Sequence, residues 1–396
     1  MATGREVVVL SGVRTAIGDY GGGLKDVAPT ELSAQVIREA VKRAKVDAKE
    51  VGACVIGNVI HTEAKDMYFS RVAALKGGLP DDSTALTVNR LCGSGLQAIV
   101  SAAQMITLGD TDLAVGGGAE SMSRGAYVMP TLRWGQRMSD STVIDMMVGA
   151  LTDPFDTVHM GITAENIAEK WKISREQQDE FAVESHRRAI NAIEKGHFKD
   201  QILPIELKTR KGTTVFDRDE HPRADASLES LAKLRAAFKK DGSVTAGNAS
   251  GINDGAAAVV LMERAAAEKK GLKPIARLVS YGIAGVDPKF MGIGPVPAST
   301  RALAKAGLKL EQIDVVESNE AFAVQALAVS CDLKLDPKKT NPNGGAVALG
   351  HPIGATGAIL TVKALYELQR TRGKYALVTM CIGGGQGIAA VFERLH

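Results

Sequence analysis

Cys92 stands among small residues, directly ahead of a segment with the spacing of an amphipathic helix. Leu96, Ile99 and Ile106 recur at helical intervals, and Ser94 between two glycines is typical of a helix start. A cysteine there lies near backbone N–H donors and the positive end of the helix dipole, which favour the thiolate. Because the thiolate is the nucleophilic form, Cys92 is the first candidate for covalent chemistry. A buried structural cysteine is the alternative.

Three residues in the C-terminal part are candidates to assist this chemistry. His351 lies in a glycine-rich turn ahead of another helix start. Cys381 ends an apolar strand just before three glycines that begin at Gly383, where small residues leave backbone N–H groups free to hold an oxyanion. Asn319 follows a third strand and either caps the next helix or holds a water. Two thiols and an imidazole indicate acyl transfer through a thioester.

Several other classes of protein are excluded or disfavoured. The chain has no Walker A loop, no serine nucleophile elbow, and no HExxH or paired Cys/His spacing for a metal ion. The glycines at 383–387 are not a dinucleotide fingerprint, because no strand–helix–strand unit follows. A net charge of +3 gives no reason to expect nucleic acid or an acidic membrane as a partner.

The composition is that of an ordinary soluble protein, with 45% hydrophobic and 23% charged residues. Four cysteines without a CxxC pair indicate a reducing compartment. We see no signal peptide, no transit segment and no apolar run long enough to span a bilayer. These features predict a cytoplasmic protein.

Short apolar segments alternate with helical patterns along the chain, which predicts an α/β fold with a mostly parallel, covered sheet. A strand, a helix, a strand leading to an asparagine, a glycine-flanked helix start and a strand running into three glycines occur twice in this order. We interpret this as a twofold repeat; chance similarity between strand–helix–strand units is the alternative. The predicted strands cover residues 6–11, 53–59, 85–88, 112–115, 275–280, 313–316 and 375–380.

The segment from about 122 to 250 interrupts this repeat. It is more polar and contains one convincing amphipathic helix, from Ser174 to about Lys195, which opens with a capping box formed with Gln177. We interpret the segment as an insertion packed over the active face.

Four sequence blocks resemble those of the thiolases, and the resemblance covers essentially the whole chain. The blocks are VNRLCGSG ending at Gly95, NEAFA at 319–323, NGGAVALGHPIGATG at 343–357 and CIGGGQG at 381–387. The segments around His159 and Met291 resemble the biosynthetic, acetoacetyl-CoA-forming branch that supplies polyhydroxyalkanoate synthesis.

The resemblance implies a five-layered αβαβα thiolase fold with two repeated halves and an inserted loop domain. The N-terminal half would comprise residues 1–121 plus 252–273, the coenzyme A-binding loop domain 122–251, and the C-terminal half 274–396. It also implies a homotetramer built as a dimer of dimers. Acetyl-CoA, acyl-CoA and CoA would be substrates, and no cofactor, metal ion, nucleic acid or membrane would be involved.

The roles implied by the resemblance transfer residue by residue. Cys92 would accept the acyl group and His351 would activate it. Cys381 would remove the α-proton of a second acetyl-CoA. His351 with a water on Asn319 would form one oxyanion site, and the backbone N–H groups of Cys92 and Gly383 the other. The implied lining of the coenzyme A and acyl pocket is Leu151, His159, Met160, Arg223, Ser230, Phe238, Ala246, Ser250, Met291, Ala321 and Phe322. Of these, Arg223 would meet phosphate.

The activity implied is that of an acetyl-CoA C-acetyltransferase, which condenses two acetyl-CoA molecules reversibly to acetoacetyl-CoA and CoA and also acts on short 3-ketoacyl-CoA. A degradative 3-ketoacyl-CoA thiolase with a broader chain range is the alternative. A decarboxylating condensing enzyme is disfavoured because Cys381 takes the place of a histidine. A non-catalytic acyl-CoA-binding protein is disfavoured because all four catalytic groups are present.

Overall fold

The computed structural model describes residues 4–209 and 212–396. These residues form fifteen strands and twelve α-helices. The strands are β1 (Val7–Thr15), β2 (Gly18–Asp19), β3 (Ala53–Gly57), β4 (Thr84–Val88), β5 (Leu113–Ser121), β6 (Tyr127–Val128), β7 (Ile144–Asp145), β8 (Ile202–Leu203), β9 (Ile205–Thr209), β10 (Gly212–Phe216), β11 (Asn253–Glu263), β12 (Ala276–Gly285), β13 (Val315–Ser318), β14 (Tyr375–Ile382) and β15 (Gln386–Arg394). The α-helices are α1 (Pro29–Ala44), α2 (Phe69–Lys76), α3 (Ser94–Leu108), α4 (Met146–Ala150), α5 (Met160–Trp171), α6 (Arg175–Glu194), α7 (Leu228–Ala232), α8 (Arg264–Lys269), α9 (Pro295–Ala306), α10 (Ala323–Leu333), α11 (Ala346–Leu349) and α12 (Thr356–Thr371).

The strand order makes the twofold repeat visible. Nine strands follow one another as β13-β14-β15-β12-β1-β11-β5-β3-β4, and the two halves meet where β1 pairs with β12. Outward from that seam, each half shows two antiparallel pairs and then a parallel pair: β1–β11, β11–β5 and β5–β3 in one half, and β12–β15, β15–β14 and β14–β13 in the other. Each half also shifts register in its first pair, at Val9/Ser11 and at Leu278/Ser280. The prediction of two repeated halves is confirmed.

The expectation of a mostly parallel sheet is wrong, because the sheet is mixed. The strands identified from the sequence alternate with helices and include the parallel pairs β3–β4, β3–β5 and β13–β14. The sequence reading missed β11 and β15, each of which pairs antiparallel with both of its neighbours in the strand order. In the sheet, β11 lies between β1 and β5, and β15 lies between β12 and β14.

Helices cover both faces of each half and produce the five layers. On the outside of the N-terminal half, α1 packs on β1 and β11, with α2 beside it. On the outside of the C-terminal half, α9 packs on β12 and β15. Between the halves, α3 packs on β3 and β5, and α12 packs on α3 and on strands of both halves. The layer order αβαβα agrees with the prediction.

The two central helices meet backbone to backbone at their N-terminal ends. A Cβ on Gly357 would lie 2.4 Å from the backbone nitrogen of Leu96. A Cβ on Gly95 would lie 2.8 Å from the backbone nitrogen of Ala358. Only glycine allows so close an approach. The residues ahead of α3 and α12 are therefore held next to each other.

Residues 122–251 form two longer helices, α5 and α6, and several short elements, most of which lie outside the large sheet. In the described part of this segment, β6 pairs with β7 and β9 with β10, while the two-residue strand β8 joins β1. The predicted helix from Ser174 is α6, and its capping box with Gln177 is present. The boundaries of a separate loop domain stay a prediction.

One expectation about membranes needs correction. Among the described residues, Leu91–Leu108 is long and apolar enough to cross a membrane by length and composition, with a mean hydropathy of 1.4. In the fold this segment includes α3, which lies in the central layer, and 61% of it is buried. Its apolar character is that of a helix packed on both faces.

Candidate active site

The turn that carries Cys92 is fixed by local hydrogen bonds. The Ser94 hydroxyl accepts a bond from the backbone N–H of Arg90 (2.9 Å) and donates one to the carbonyl of Leu91 (2.6 Å). Leu91 has a φ of 43°, in the left-handed region that most side chains avoid. The helix α3 begins at Ser94 with Gly93 as its N-cap, so Cys92 lies just outside the first turn, as predicted. Its side chain is partly exposed to a cavity.

His351 is buried in the turn between α11 and α12, and its protonation pattern follows from its neighbours. The Thr356 hydroxyl donates to the Pro352 carbonyl (2.9 Å), so its proton is not available to the histidine. The Nδ1 atom of His351 lies 2.6 Å from the same hydroxyl oxygen, and we infer that it donates to this oxygen. The Nε2 atom is therefore unprotonated, which is the form required of a general base.

Asn319 lies directly after β13 and next to His351. Its Nδ2 atom is 3.4 Å from Nε2 of His351, and its backbone N–H donates to the carbonyl of Thr379 (2.9 Å). Its buried Oδ1 atom has no hydrogen-bond partner among the described residues, so it can accept one more bond. The capping alternative is wrong, since α10 begins at Ala323 with Phe322 as its N-cap.

Burial keeps the three titratable groups of the site neutral at rest. It raises the pKa of Cys92 to about 11, while the backbone N–H groups of Gly383 and Cys92 itself act in the opposite direction. Burial also raises the pKa of Cys381, and it lowers that of His351 to about 4. The expectation that the helix N-terminus would favour the thiolate is not met in the free protein, because loss of hydration outweighs the N–H donors.

These groups surround one cavity of about 340 Å³. Cys92, His351, Cys381 and Gly383 line it, and Asn319 lies behind His351. Nine of the predicted pocket residues also line it: Leu151, His159, Met160, Phe238, Ala246, Ser250, Met291, Ala321 and Phe322. The other two, Arg223 and Ser230, are exposed and lie outside the cavity lining.

Aromatic side chains shape one wall of this cavity. The rings of His159 and Phe238 stack at 4.6 Å, and Phe238 meets Phe322 edge to face at 6.1 Å. His159 also caps α5, because its Nδ1 accepts a bond from the backbone N–H of Gly161 (3.0 Å). Gly161 allows this arrangement, since a Cβ there would lie 2.2 Å from the Phe238 ring.

Sequence reasoning missed part of the site. The cavity is also lined by Met122, Ala150, Ala237, Ala249, Gly251, Ile252 and Ile353. These are small or apolar residues without a chemical signature of their own, although Ile353 belongs to the histidine turn. Among residues 4–209 and 212–396, no group of three or more His, Cys, Asp or Glu side chains is arranged to hold a metal ion.

Glu120, also missed, joins the two loops that flank the cysteine and the histidine. Its buried carboxylate accepts bonds from the backbone N–H groups of Val59 (3.2 Å), Ile60 (3.1 Å) and Gly354 (2.9 Å), and from the Asn58 side chain (3.1 Å). Burial raises the pKa of Glu120 to about 8, although the hydrogen bonds from the backbone donors act to lower it. The signal in the sequence was an acidic residue at the end of an otherwise apolar strand.

A thiol, a neutral imidazole and a second thiol around an apolar cavity, on two repeated halves, define a thiolase. The family models agree: the thiolase N-terminal domain matches residues 7–265 and the thiolase C-terminal domain matches residues 272–394. The chain belongs to the thiolase family.

Individual relatives are similar over their whole length. The β-ketothiolase BktB of Cupriavidus necator is 67% identical over 392 residues, which covers 99% of this chain and 100% of the relative. The acetyl-CoA acetyltransferase of Syntrophomonas wolfei is 50% identical over 396 residues, covering 99% and 100%. Among solved structures, the Bacillus anthracis acetyl-CoA acetyltransferase has a TM-score of 0.97 at 49% identity and covers 99% of each chain. Human mitochondrial 3-ketoacyl-CoA thiolase in complex with CoA has a TM-score of 0.97 at 46% identity, covering 100% of each. The predictions of family and fold are confirmed.

Proposed function

We propose that the protein is an acetyl-CoA C-acetyltransferase, a β-ketothiolase that condenses two acetyl-CoA molecules reversibly to acetoacetyl-CoA and CoA. The observation that carries this proposal is the placement of Cys92, His351 and Cys381 around one apolar cavity. The names of two relatives support this acyl-transfer reaction: one is a β-ketothiolase at 67% identity, and the other is an acetyl-CoA acetyltransferase at 50%.

In the first half-reaction, Nε2 of His351 takes the proton of the Cys92 thiol as the sulfur attacks the thioester carbonyl of acetyl-CoA. The bond from the carbonyl carbon to the coenzyme A sulfur breaks, and the Cys381 thiol gives its proton to the departing thiolate. Cys381 is left as a thiolate, and Nε2 of His351 keeps the proton taken from Cys92. Acetyl-Cys92 and CoA are the products. Proton transfer accompanies attack because burial disfavours a thiolate–imidazolium pair of Cys92 and His351 in the free protein.

In the second half-reaction, the Cys381 thiolate removes an α-proton from a second acetyl-CoA, and the resulting enolate attacks the acetyl-Cys92 carbonyl. Collapse of the tetrahedral intermediate breaks the bond to the Cys92 sulfur and releases acetoacetyl-CoA. Nε2 of His351 returns its proton to the Cys92 sulfur, while Cys381 keeps the α-proton, so both thiols and the neutral imidazole are restored. In thiolysis the same steps run backwards.

Negative charge develops on a different thioester oxygen in each step, so two oxyanion sites are required. We assign one to Nε2 of His351, which carries the proton taken from Cys92 while that residue is acylated, together with a water on the free Oδ1 of Asn319. We assign the other to the backbone N–H groups of Cys92 and Gly383, which are close enough to lower the pKa of the Cys92 thiol. Loss of one such donor costs about 3–4 kcal/mol in the transition state.

Coenzyme A would enter past His159 and Phe238. The exposed positions of Arg223 and Ser230 suit contact with the nucleotide part of coenzyme A outside the cavity, with the Arg223 guanidinium on phosphate. No further cofactor or metal ion belongs to this mechanism, in which acyl-CoA and CoA are the partners.

The assembly is proposed to be a homotetramer, a dimer of dimers. The strand β4 ends the large sheet with Leu86 48% exposed, and an unpaired edge strand readily pairs with another chain. The β6–β7 segment carries further exposed apolar side chains, among them Tyr127 (65%) and Trp134 (87%). We also propose a cytoplasmic location and polyhydroxyalkanoate supply as the role. The four free cysteines suit a reducing compartment.

The test is acetoacetyl-CoA thiolysis by the wild type and by Cys92→Ser. We expect the variant to lose nearly all turnover and the wild type to carry an acetyl group on Cys92, seen as a mass increase of the intact protein. Wild-type turnover in the variant, with no acyl-enzyme in the parent, would refute the proposal. A preference for 3-ketoacyl-CoA of C8 or longer would favour the degradative alternative, which a relative of known structure represents.

A further inference from the structure

A second, larger cavity lies beside the active-site cavity. Its volume is about 590 Å³, and the two cavities share Ala150 as a wall residue. Leu91, next to the nucleophile, also lines the second cavity. A Cβ on Gly383 would lie 3.0 Å from Cδ1 of Leu91, so this side chain reaches the active site as well. Ala150 and Leu91 thus form part of a partition one side chain thick.

The rest of the partition is an apolar cluster in contact with the nucleophile. Ile60, Met122, Met147 and Ile353 form this cluster, and Cys92 and Ala150 pack against it. Met122 and Ile353 line the active-site cavity, whereas Ile60 lines the second cavity. Two methionines make the cluster deformable, because their unbranched side chains readily change rotamer.

We propose that the second cavity receives the distal part of an acyl chain carried on Cys92, so that unbranched 3-ketoacyl-CoA longer than C4 is accepted on that side. This inference rests on the proposed function. During acyl transfer the side towards His159 and Phe238 holds coenzyme A, and Cys381 and His351 hold the reacting atoms. A tail on the Cys92 carbonyl must therefore point at the partition.

The lining of the second cavity suits such a tail. Next to the partition, the lining consists of the apolar residues Val59, Ile60 and Leu91. Ala126 and Gly149 also line the cavity. The polar residues of its lining are His61, Thr62, Glu63 and Asn89. Each methylene that leaves water for such a surface favours binding by about fourfold.

Gly149 offers a way to fill this cavity without touching the active site. It lines only the second cavity, and a Cβ at this position meets no atom within 4 Å. Thiolysis of 3-ketoacyl-CoA of C4, C6 and C8 should be measured for the wild type, Gly149→Leu, Gly149→Ala and Ala150→Gly. Gly149→Ala is the matched control for the loss of glycine.

We expect Gly149→Leu to leave C4 thiolysis unchanged and to lower the kcat/KM ratio of C6 to C4 about tenfold, since a butyryl group on Cys92 loses the burial of about two methylenes. Ala150→Gly should raise that ratio by a similar factor. Intact-protein mass should show the corresponding change in butyryl-Cys92.

Equal C4:C6:C8 profiles in all four proteins would overturn the tail site while leaving the proposed function intact. Absence of C4 thiolysis in the wild type would instead overturn the function itself. Thermal unfolding checks that each variant is folded, and a folded Ala150→Gly with an unchanged profile counts against the tail site.

Discussion

Thr356 fixes which nitrogen of His351 carries the proton, and removing its hydroxyl tests that role. In Thr356→Val the Nδ1–H of His351 loses the acceptor 2.6 Å away, in a place that water does not reach. A buried donor left without a partner costs about 1–3 kcal/mol. Moving the proton to Nε2 avoids that cost but removes the base. Because the tautomer with a basic Nε2 is then disfavoured by that amount, acylation of Cys92 slows by about 5- to 150-fold.

The assay is single-turnover acylation by acetyl-CoA, followed by intact-protein mass. Thr356→Ser, which keeps the hydroxyl, is the control and should acylate within a few-fold of the wild type. The KM for acetyl-CoA should change little, because Thr356 does not line the cavity. Nitrogen NMR of labelled histidine reports the tautomer of His351 directly, which a purely structural effect would not alter. A folded Thr356→Val that acylates at the wild-type rate would refute the assignment of Nε2 as the base.

Three further outcomes are expected. His351 acts as a base only when neutral, and burial lowers its pKa to about 4. The acylation rate, measured by quenched flow across pH, should therefore stay level on acidification past pH 6.5 and fall only near pH 4. A fall centred near pH 6.5 would contradict this. Lys363→Met should lower the free energy of unfolding by about 3–5 kcal/mol, as measured by denaturant titration. In the wild type the buried Glu317 carboxylate lies 2.8 Å from Nζ of Lys363, and the substitution leaves this carboxylate without its partner. Adding Glu317→Leu should restore part of the lost stability. Gly95→Ala places a Cβ 2.8 Å from the backbone nitrogen of Ala358, which forces α3 and α12 apart. The variant should lose about 1–3 kcal/mol of unfolding free energy and acylate more slowly. Unchanged stability and acylation would contradict the close contact.

Much of the fold was readable from periodicity. The helix after Cys92 begins where Ser94 and its glycines indicated, and the repeat appears in the strand order. The sheet direction was not readable, because the alanine-rich strand β11 lacks the pattern of a typical strand. The start of the first helix was not readable either: α1 begins at Pro29 after Ala28, because the fixed φ of proline suits the first helical position.

The reacting side chains were also readable, since cysteine, histidine and asparagine beside glycines carry chemistry in their types. Their protonation states were not, because these depend on burial that only the packed structure sets. Thr356 looked like an ordinary helix residue, and Glu120 like the end of a strand. Glu120 acts through hydrogen bonds to backbone groups distant in sequence, and Thr356 acts through a contact with the side chain of His351. A single sequence displays neither of these contacts.

The backbone contact between α3 and α12 has a consequence for how the chain acquires its reactivity. The nucleophile belongs to the first half of the polypeptide, and its base and second thiol belong to the last quarter. Bringing such distant segments into contact costs the entropy of closing a long loop. During synthesis the N-terminal part leaves the ribosome first. We therefore expect Cys92 to remain an unactivated thiol until the C-terminal half docks, so that assembly of the halves itself switches on the chemistry.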